Sequence, residues 1–189
     1  GEKLNIHPSM LPVLRGPSPI QGAILNQLTE SGISIQRIAS EMDSGDLLAC
    51  ESFPLQGDET SESLSSYVSL KAADLAVRAI SSLQTGNAVF VRQSGEATYT
   101  TLISAEMALV DFSLSAKEIH ARIRALYPWP KARTLYNNQN LLLTGVYGTV
   151  HEAGEEKVEA GVPVGTVVRK QKGKGIAIAT GDGLLWVTS

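Results

Sequence analysis

Leu4-Asn5-Ile6-His7-Pro8-Ser9-Met10-Leu11-Pro12-Val13-Leu14-Arg15-Gly16 opens the chain with a short apolar run that breaks into a Pro- and Gly-punctuated loop. The run reads as a strand, so Asn5 and His7, two residues apart, project from the same face where strand gives way to loop. An amide can donate to a developing oxyanion, and an imidazole can move a proton near neutral pH. Transfer of an acyl group to an amine needs both tasks. An isolated Asn-x-His also occurs as plain loop structure, with the imidazole bonded to the backbone, so the surrounding residues have to choose between the two.

Composition sets broad limits. The chain has 189 residues, 43% of them hydrophobic, and a mean hydropathy of +0.02. That is enough apolar mass for one large domain or two small ones. No run reaches the roughly 18 consecutive apolar residues of a membrane span. Gly1-Glu2-Lys3 does not lead into the apolar core of a signal peptide. Cys50 is the single cysteine, which excludes an internal disulfide and leaves no zinc-binding spacing. Its apolar neighbours predict a small buried side chain. These features predict a reduced, cytoplasmic protein with no metal and no membrane partner. The formal net charge is −3, but residues 1–84 balance at −5 and residues 85–189 at +2. The second half is therefore better placed to meet a polyanion.

Working outward, Pro19, Ile20, Ala23, Ile24 and Leu28 predict a helix stopped by Gly32. Ile33 and Ile35 predict a strand over 33–39 with one buried face, and Leu47–Phe53 a second strand closed by Pro54, the pair reading as a hairpin or as two adjacent strands. Met42-Asp43-Ser44-Gly45-Asp46 is the acidic turn between them, and either Asp43 or Asp46 could orient a histidine or take up a proton. Asp58-Glu59-Thr60-Ser61 starts a long amphipathic helix whose stripe (Leu64, Tyr67, Val68, Leu75, Ala79, Ile80, Leu83) reads as core, stopped by Thr85-Gly86-Asn87. Residues 86–104 read as a linker. A short helix spans Ser115–Leu126 and breaks at Tyr127-Pro128-Trp129-Pro130. Short runs at Leu141–Leu143, Val146–Val150, Gly165–Val168, Ile176–Ala179 and Leu184–Val187 predict a small barrel or sandwich, with Asp182-Gly183 as a hairpin turn and Gly154–Lys157 as a solvated one.

Asn-x-His-x-Ser-x-Leu-Pro-x-x-Arg-Gly over residues 5–16 resembles the signature of the 10-formyltetrahydrofolate-dependent formyltransferases. In that family a helix and an acidic turn follow, and the turn here is Met42-Asp43-Ser44-Gly45-Asp46. The resemblance implies catalytic roles for Asn5, His7 and Asp43. Asn5 would donate to the formyl oxygen, His7 would stabilise the same charge as imidazolium and manage the proton, and Asp43 would set the protonation of His7. It implies that Ser9, Met10, Leu11, Pro12, Arg15 and Gly16 form the loop beside the substrate, although a loop arginine also serves as a salt-bridged structural residue. Ala97-Thr98-Tyr99, Val110-Asp111-Phe112, Ile119-His120, Pro128-Trp129-Pro130 and Gly181-Asp182-Gly183 resemble the family's C-terminal domain.

The implied architecture is α/β, a partial Rossmann-like formyltransferase domain, followed by an OB-like β-barrel. Its divisions are 1–85, a linker at 86–104, and 105–189. The first part would be a piece of a parallel sheet with an exposed edge. The implied donor is 10-formyltetrahydrofolate and the implied partner initiator methionyl-tRNA, contacted by Arg122, Arg124, Lys131, Arg133, Lys170 and Lys172, with the full-length enzyme a monomer. Two departures stand out. Leu102 occupies a position expected to be lysine, with Ala105 and Leu109 at nearby positions also expected to be basic. The βα units expected upstream of the Asn-x-His motif are missing, so the chain by itself is expected to be inactive. Other readings are formylation of an amino-sugar nucleotide, hydrolysis of formyltetrahydrofolate, and a non-catalytic nucleic-acid-binding module.

Overall fold

The computed structural model describes residues 1–188. They divide into two compact units. The first holds residues 1–23, 28–55 and 63–102, and the second holds 24–27, 56–62 and the chain from Ile103 on.

The first unit is built on strands β1 (Leu4–His7), β2 (Glu30–Arg37) and β3 (Leu47–Pro54), hydrogen-bonded in the order β1-β2-β3. Helix α1 (Pro19–Leu25) connects β1 to β2. All pairings are antiparallel, with Asn5 opposite Gln36 and His7 opposite Ser34. This corrects the expected parallel sheet. β2 returns along β1 and folds back on β3 as a hairpin, and an antiparallel sheet does not require a helix layer on both faces.

β2 also departs from the expected single buried face, because every residue from Ser31 to Gln36 is buried. Ile33 and Ile35 fill one side, while Ser34 and Gln36 are buried on the other with their polar atoms bonded. Gly32 is not the stop of α1. That helix ends at Leu25, the left-handed residue after it is Gln27 at φ +52°, and Gly32 lies inside β2 where a Cβ would collide with Met10. Cys50 is exposed on the outer strand rather than buried, with its thiol 3.6 Å from the Ser34 hydroxyl.

Helix α2 (Ser61–Gln84) buries Leu64, Val68, Leu75 and Ala79, while Tyr67 and Ile80 of the expected stripe remain half exposed. Tyr67 packs edge-on against Phe53 at 5.0 Å. The helix closes where expected, with Gly86 at φ +73° and the Asn87 N–H on the Ser82 carbonyl. Residues 86–102 follow an irregular extended path. Leu47 and Val91 exchange two backbone hydrogen bonds of 2.8 Å across the free side of β3, and Arg15 bridges Tyr99.

In the second unit a 3-10 turn (Ala105–Ala108) precedes α3 (Ala116–Ala125). Ser115 and Glu118 form a capping box, which satisfies first-turn N–H groups that would otherwise be orphaned. Asp182 accepts the Ala116 N–H at 2.8 Å. Ile119 and Ile123 enter a core with Val110, Leu143, Ile178, Leu185 and Val187.

β4 (Ala132–Tyr136) and β5 (Gln139–Leu143) form one hairpin, turned by Asn137 and Asn138 at φ +49° and +61°. β6 (Val167–Gln171), β7 (Gly175–Ala179) and β8 (Leu184–Val187) form a second antiparallel sheet. Val146–Val150 is not a strand. Only Val146 bridges Val187, because Gly148 turns the chain at φ +77° and the Glu152 carboxylate accepts the Thr149 N–H. The expected solvated turn at Gly154–Lys157 is structural too. Gly154 is buried, and Glu156 accepts the Trp186 indole N–H at 2.9 Å and pairs with Arg169.

Candidate active site

β1 fixes the first two groups. Asn5 and His7 share one face of the strand, opposite the polar side of β2, with Ile6 on the other face. The turn after β2 brings in the third. Asp43 has φ +51°, a left-handed conformation that costs a non-glycine residue on the order of 1–3 kcal/mol unless its surroundings hold it.

Four groups surround its carboxylate. Oδ2 accepts the Gly16 N–H at 2.9 Å and lies 3.5 Å from His7 Nδ1. Oδ1 accepts Gln36 Nε2–H at 2.9 Å and Asn5 Nδ2–H at a longer 3.4 Å. Asn5, His7 and Asp43, chosen from sequence, therefore meet in space.

The imidazole is 4% exposed and Nε2 lies 2.9 Å from the Leu14 carbonyl. A carbonyl only accepts, so Nε2 carries a hydrogen. Nδ1 then faces a carboxylate, an arrangement satisfied by a proton between the two groups and opposed by two lone pairs. His7 Nδ1 and Asp43 Oδ2 thus face one another across 3.5 Å, with the other ring nitrogen anchored on the Leu14 carbonyl.

Gln36, buried at 2% exposure, was missed by sequence reasoning. Besides bonding Asp43 it accepts the Gly45 N–H at 3.1 Å. Gly45 is required there, since a Cβ would overlap the Arg37 carbonyl. Gln93 was missed as well. Its amide contacts the Asp43 turn and Arg15, far apart in sequence. The one available signal for Gln36 was its position opposite Asn5 in the strand alternation; a glutamine in an irregular segment carries none. Asn5 and residues 36–43 line a cavity of about 400 Å³ that is open to solvent.

The loop residues expected beside the substrate divide into two kinds. Ser9, Leu11 and Pro12 are buried, and they shape the loop from within. Ser9 Oγ donates to the Val13 carbonyl at 2.5 Å, and the Leu11 N–H donates to Ser34 Oγ at 3.0 Å. Gly16 contributes its N–H, and Met10 packs at Gly32. Arg15 is half-buried, with its guanidinium on Gln93 Oε1 at 2.6 and 3.2 Å and near the Tyr99 hydroxyl at 3.3 Å.

Among the cations proposed for nucleic acid, Arg124 does not belong. It is 4% exposed, donating Nε–H to His120 Nδ1 at 3.0 Å and Nη1–H to the Glu59 carbonyl at 2.7 Å. Burial pushes its pKa down to about 10, and no face is left for a phosphate. Lys170 and Lys172 are exposed at the β6–β7 hairpin, while Arg122, Lys131 and Arg133 are half-buried. No cluster of metal-ligating side chains occurs among the described residues, and none of their helices is long and apolar enough to cross a membrane.

Comparison with known proteins places these features in a common setting. Residues 1–80 match the formyl transferase family, and residues 102–189 match the formyl transferase C-terminal domain. The methionyl-tRNA formyltransferase of Borrelia duttonii is 38% identical over 184 residues, which is 97% of this chain and 58% of that protein. The chain thus spans a little over half the length of the curated relatives it matches. An N-formyltransferase of Helicobacter canadensis, solved with folinic acid and dTDP-3-aminofucose, superimposes with a TM-score of 0.75 at 20% identity, over 97% of this chain and 64% of its own. The methionyl-tRNA formyltransferase of Clostridium thermocellum gives 0.63 at 24% identity, over 78% and 64%.

Proposed function

The chain belongs to the formyl transferase family, and on that premise we propose that it supplies the catalytic groups for moving a formyl group from 10-formyltetrahydrofolate to the amino group of methionyl-initiator tRNA. One observation carries the reading: the Asp43 carboxylate gathers Asn5, His7 and the Gly16 N–H within 2.9–3.5 Å at the edge of an open cavity.

The reaction is direct attack. The amine nitrogen bonds to the formyl carbon, and the carbonyl electrons move to oxygen. The bond from carbon to the folate nitrogen then breaks, and that nitrogen takes up the proton the amine gives up. Asn5 Nδ2–H is the donor for the oxyanion, an interaction that strengthens as charge develops there. The 3.4 Å bond from Asn5 to Asp43 is long enough to exchange for one to substrate. His7 stabilises the same charge as imidazolium. Asp43 and His7 hold the proton in transit, with Asp43 receiving it from the amine side. The donor's formyl-bearing end would occupy the cavity along residues 36–43, beside Asn5 and Asp43.

The second unit, read as an OB-like barrel, would hold the tRNA through Lys170, Lys172, Arg122, Lys131 and Arg133. A monomeric cytoplasmic enzyme fits that role.

The test is formyl transfer to charged initiator tRNA by the protein extended to the full length of its curated relatives. His7→Ala and Asp43→Asn should each lower the rate by about 10²–10⁴-fold. Transfer to an amino-sugar nucleotide instead, or hydrolysis of the donor, would replace the acceptor. Full activity in both variants would refute the site.

A further inference from the structure

We propose that Gln93 is a positioning residue, whose side-chain amide holds the Asp43 turn in the pose that sets the carboxylate against His7. The proposal rests on the function read above and adds a residue that touches none of Asn5, His7 or the Asp43 carboxylate.

The orientation of the amide follows from its partners. Oε1 receives Nη2–H and Nε–H of Arg15 at 2.6 and 3.2 Å, and a guanidinium only donates. Nε2 therefore stands at the other end, where the carbonyls of Asp43 and Gly45, both at 2.8 Å, only accept. The two N–H groups thus span Ser44 and bracket the turn at its left-handed residue, Asp43. A third, longer approach of 3.3 Å leads to Gln36 Oε1, whose amide nitrogen in turn donates to Asp43 Oδ1.

The Asp43 side chain is fixed by Gly16, Gln36 and Asn5, but those bonds act on the carboxylate. Of the peptide that follows it, the Ser44 N–H reaches the Glu41 carbonyl only at a long 3.4 Å, whereas Gln93 holds the Asp43 carbonyl at 2.8 Å. Its other end holds Arg15, the neighbour of the Gly16 whose N–H meets Asp43 Oδ2 at 2.9 Å. One amide therefore ties together the loop and the turn that meet at the carboxylate. Orientation of reacting groups is where small displacements are costly, and a shift of about 1 Å can lower a rate on the order of 100-fold.

Gln93→Glu separates this role from simple packing. It keeps the length, the shape and an oxygen for Arg15, and replaces the two N–H donors by an oxygen facing two carbonyls. Two readouts are made. In the protein extended to the full length of its curated relatives, kcat should fall on the order of 10–100-fold, with KM for donor and acceptor within about threefold of the wild type. In the chain as it stands, the imidazole ¹⁵N signals of His7 at fixed pH should move, because its carboxylate partner has moved. Unmoved His7 signals in the folded variant overturn the proposal, whatever the activity. So does a loss confined to KM. A wild type that moves no formyl group defeats the functional reading, and the His7 signals then decide the positioning role alone. Should Gln93→Glu fail to fold, Gln93→Met, which removes the donors without adding charge, provides the same two readouts.

Discussion

His120 gives the second unit a pH dependence that can be worked from its contacts. The ring is 0% exposed on α3. Nδ1 accepts the Arg124 Nε–H at 3.0 Å, and Nε2–H donates to the Gly148 carbonyl at 3.2 Å. Burial first, and the Arg124 guanidinium second, push its pKa down from 6.5 to about 4, against the opposing pull of the Gly148 carbonyl and the Glu152 carboxylate. The unfolded chain takes up a proton here below pH 6.5, whereas the folded chain resists until about pH 4. Stability from this group is therefore complete above pH 6.5 and is lost as pH falls toward 4. At pH 5 the loss relative to pH 7.5 comes to about 2 kcal/mol. Both tryptophans, Trp129 and Trp186, lie in the same unit, so urea unfolding followed by their fluorescence reports on it. His120→Gln, which retains a donor and an acceptor but cannot titrate, supplies the baseline for the carboxylates that also protonate. The wild type should lose about 2 kcal/mol more than this variant between pH 7.5 and 5. Equal losses in the two proteins would falsify the assignment.

Two stability predictions concern the same unit. Gly175→Ala forces φ +99° on a residue with a Cβ and drives that carbon into the Val187 carbonyl, so the variant should unfold about 2–5 kcal/mol more easily in a thermal melt. Asp182→Ala leaves the Ala116 N–H unpaired at the start of α3, at a residue 0% exposed, and should cost about 1–2 kcal/mol by the same melt. Asp182→Asn, which keeps the accepting oxygen, should recover most of that loss.

The legible parts of the chain are those where one residue type suffices. The helical spacing of Ile119, Ile123 and Leu126, with Pro128 and Pro130 just beyond, delimited α3 to within a residue at each end. The spacing of Asn5 and His7 placed them on one face, and the acidic turn came close behind in the chain. Strand direction was legible only in part. The acidic turn between the second and third strands allowed a hairpin, which is how β2 and β3 pair. Alternation records which side of a strand is buried and not which way its neighbour runs, so nothing local gave the direction of β1 against β2. Arg124 illustrates a second blind spot. Its position beside the Ile119–Ile123 stripe left the cation to be read as a contact for nucleic acid, although it ends against His120 and a carbonyl from residues 56–62. The glutamines were hidden for a different reason. An amide acquires meaning only from what it faces, and Gln93 faces groups 48–78 residues away.

That separation bears on when the site comes into being during synthesis. The Asp43 carbonyl waits for an amide 50 residues later in the chain, and the Leu14 N–H waits for the Thr98 hydroxyl 84 residues on. At about 5–20 residues per second, the first delay alone lasts about 3–10 s. Throughout that interval the chain already contains Asn5, His7, Gly16, Gln36 and Asp43, whose mutual bonds need nothing later, but not the Gln93 amide or the Thr98 hydroxyl that tie the turn to the loop. The nascent polypeptide therefore holds every reactive group before it holds the last restraints on them.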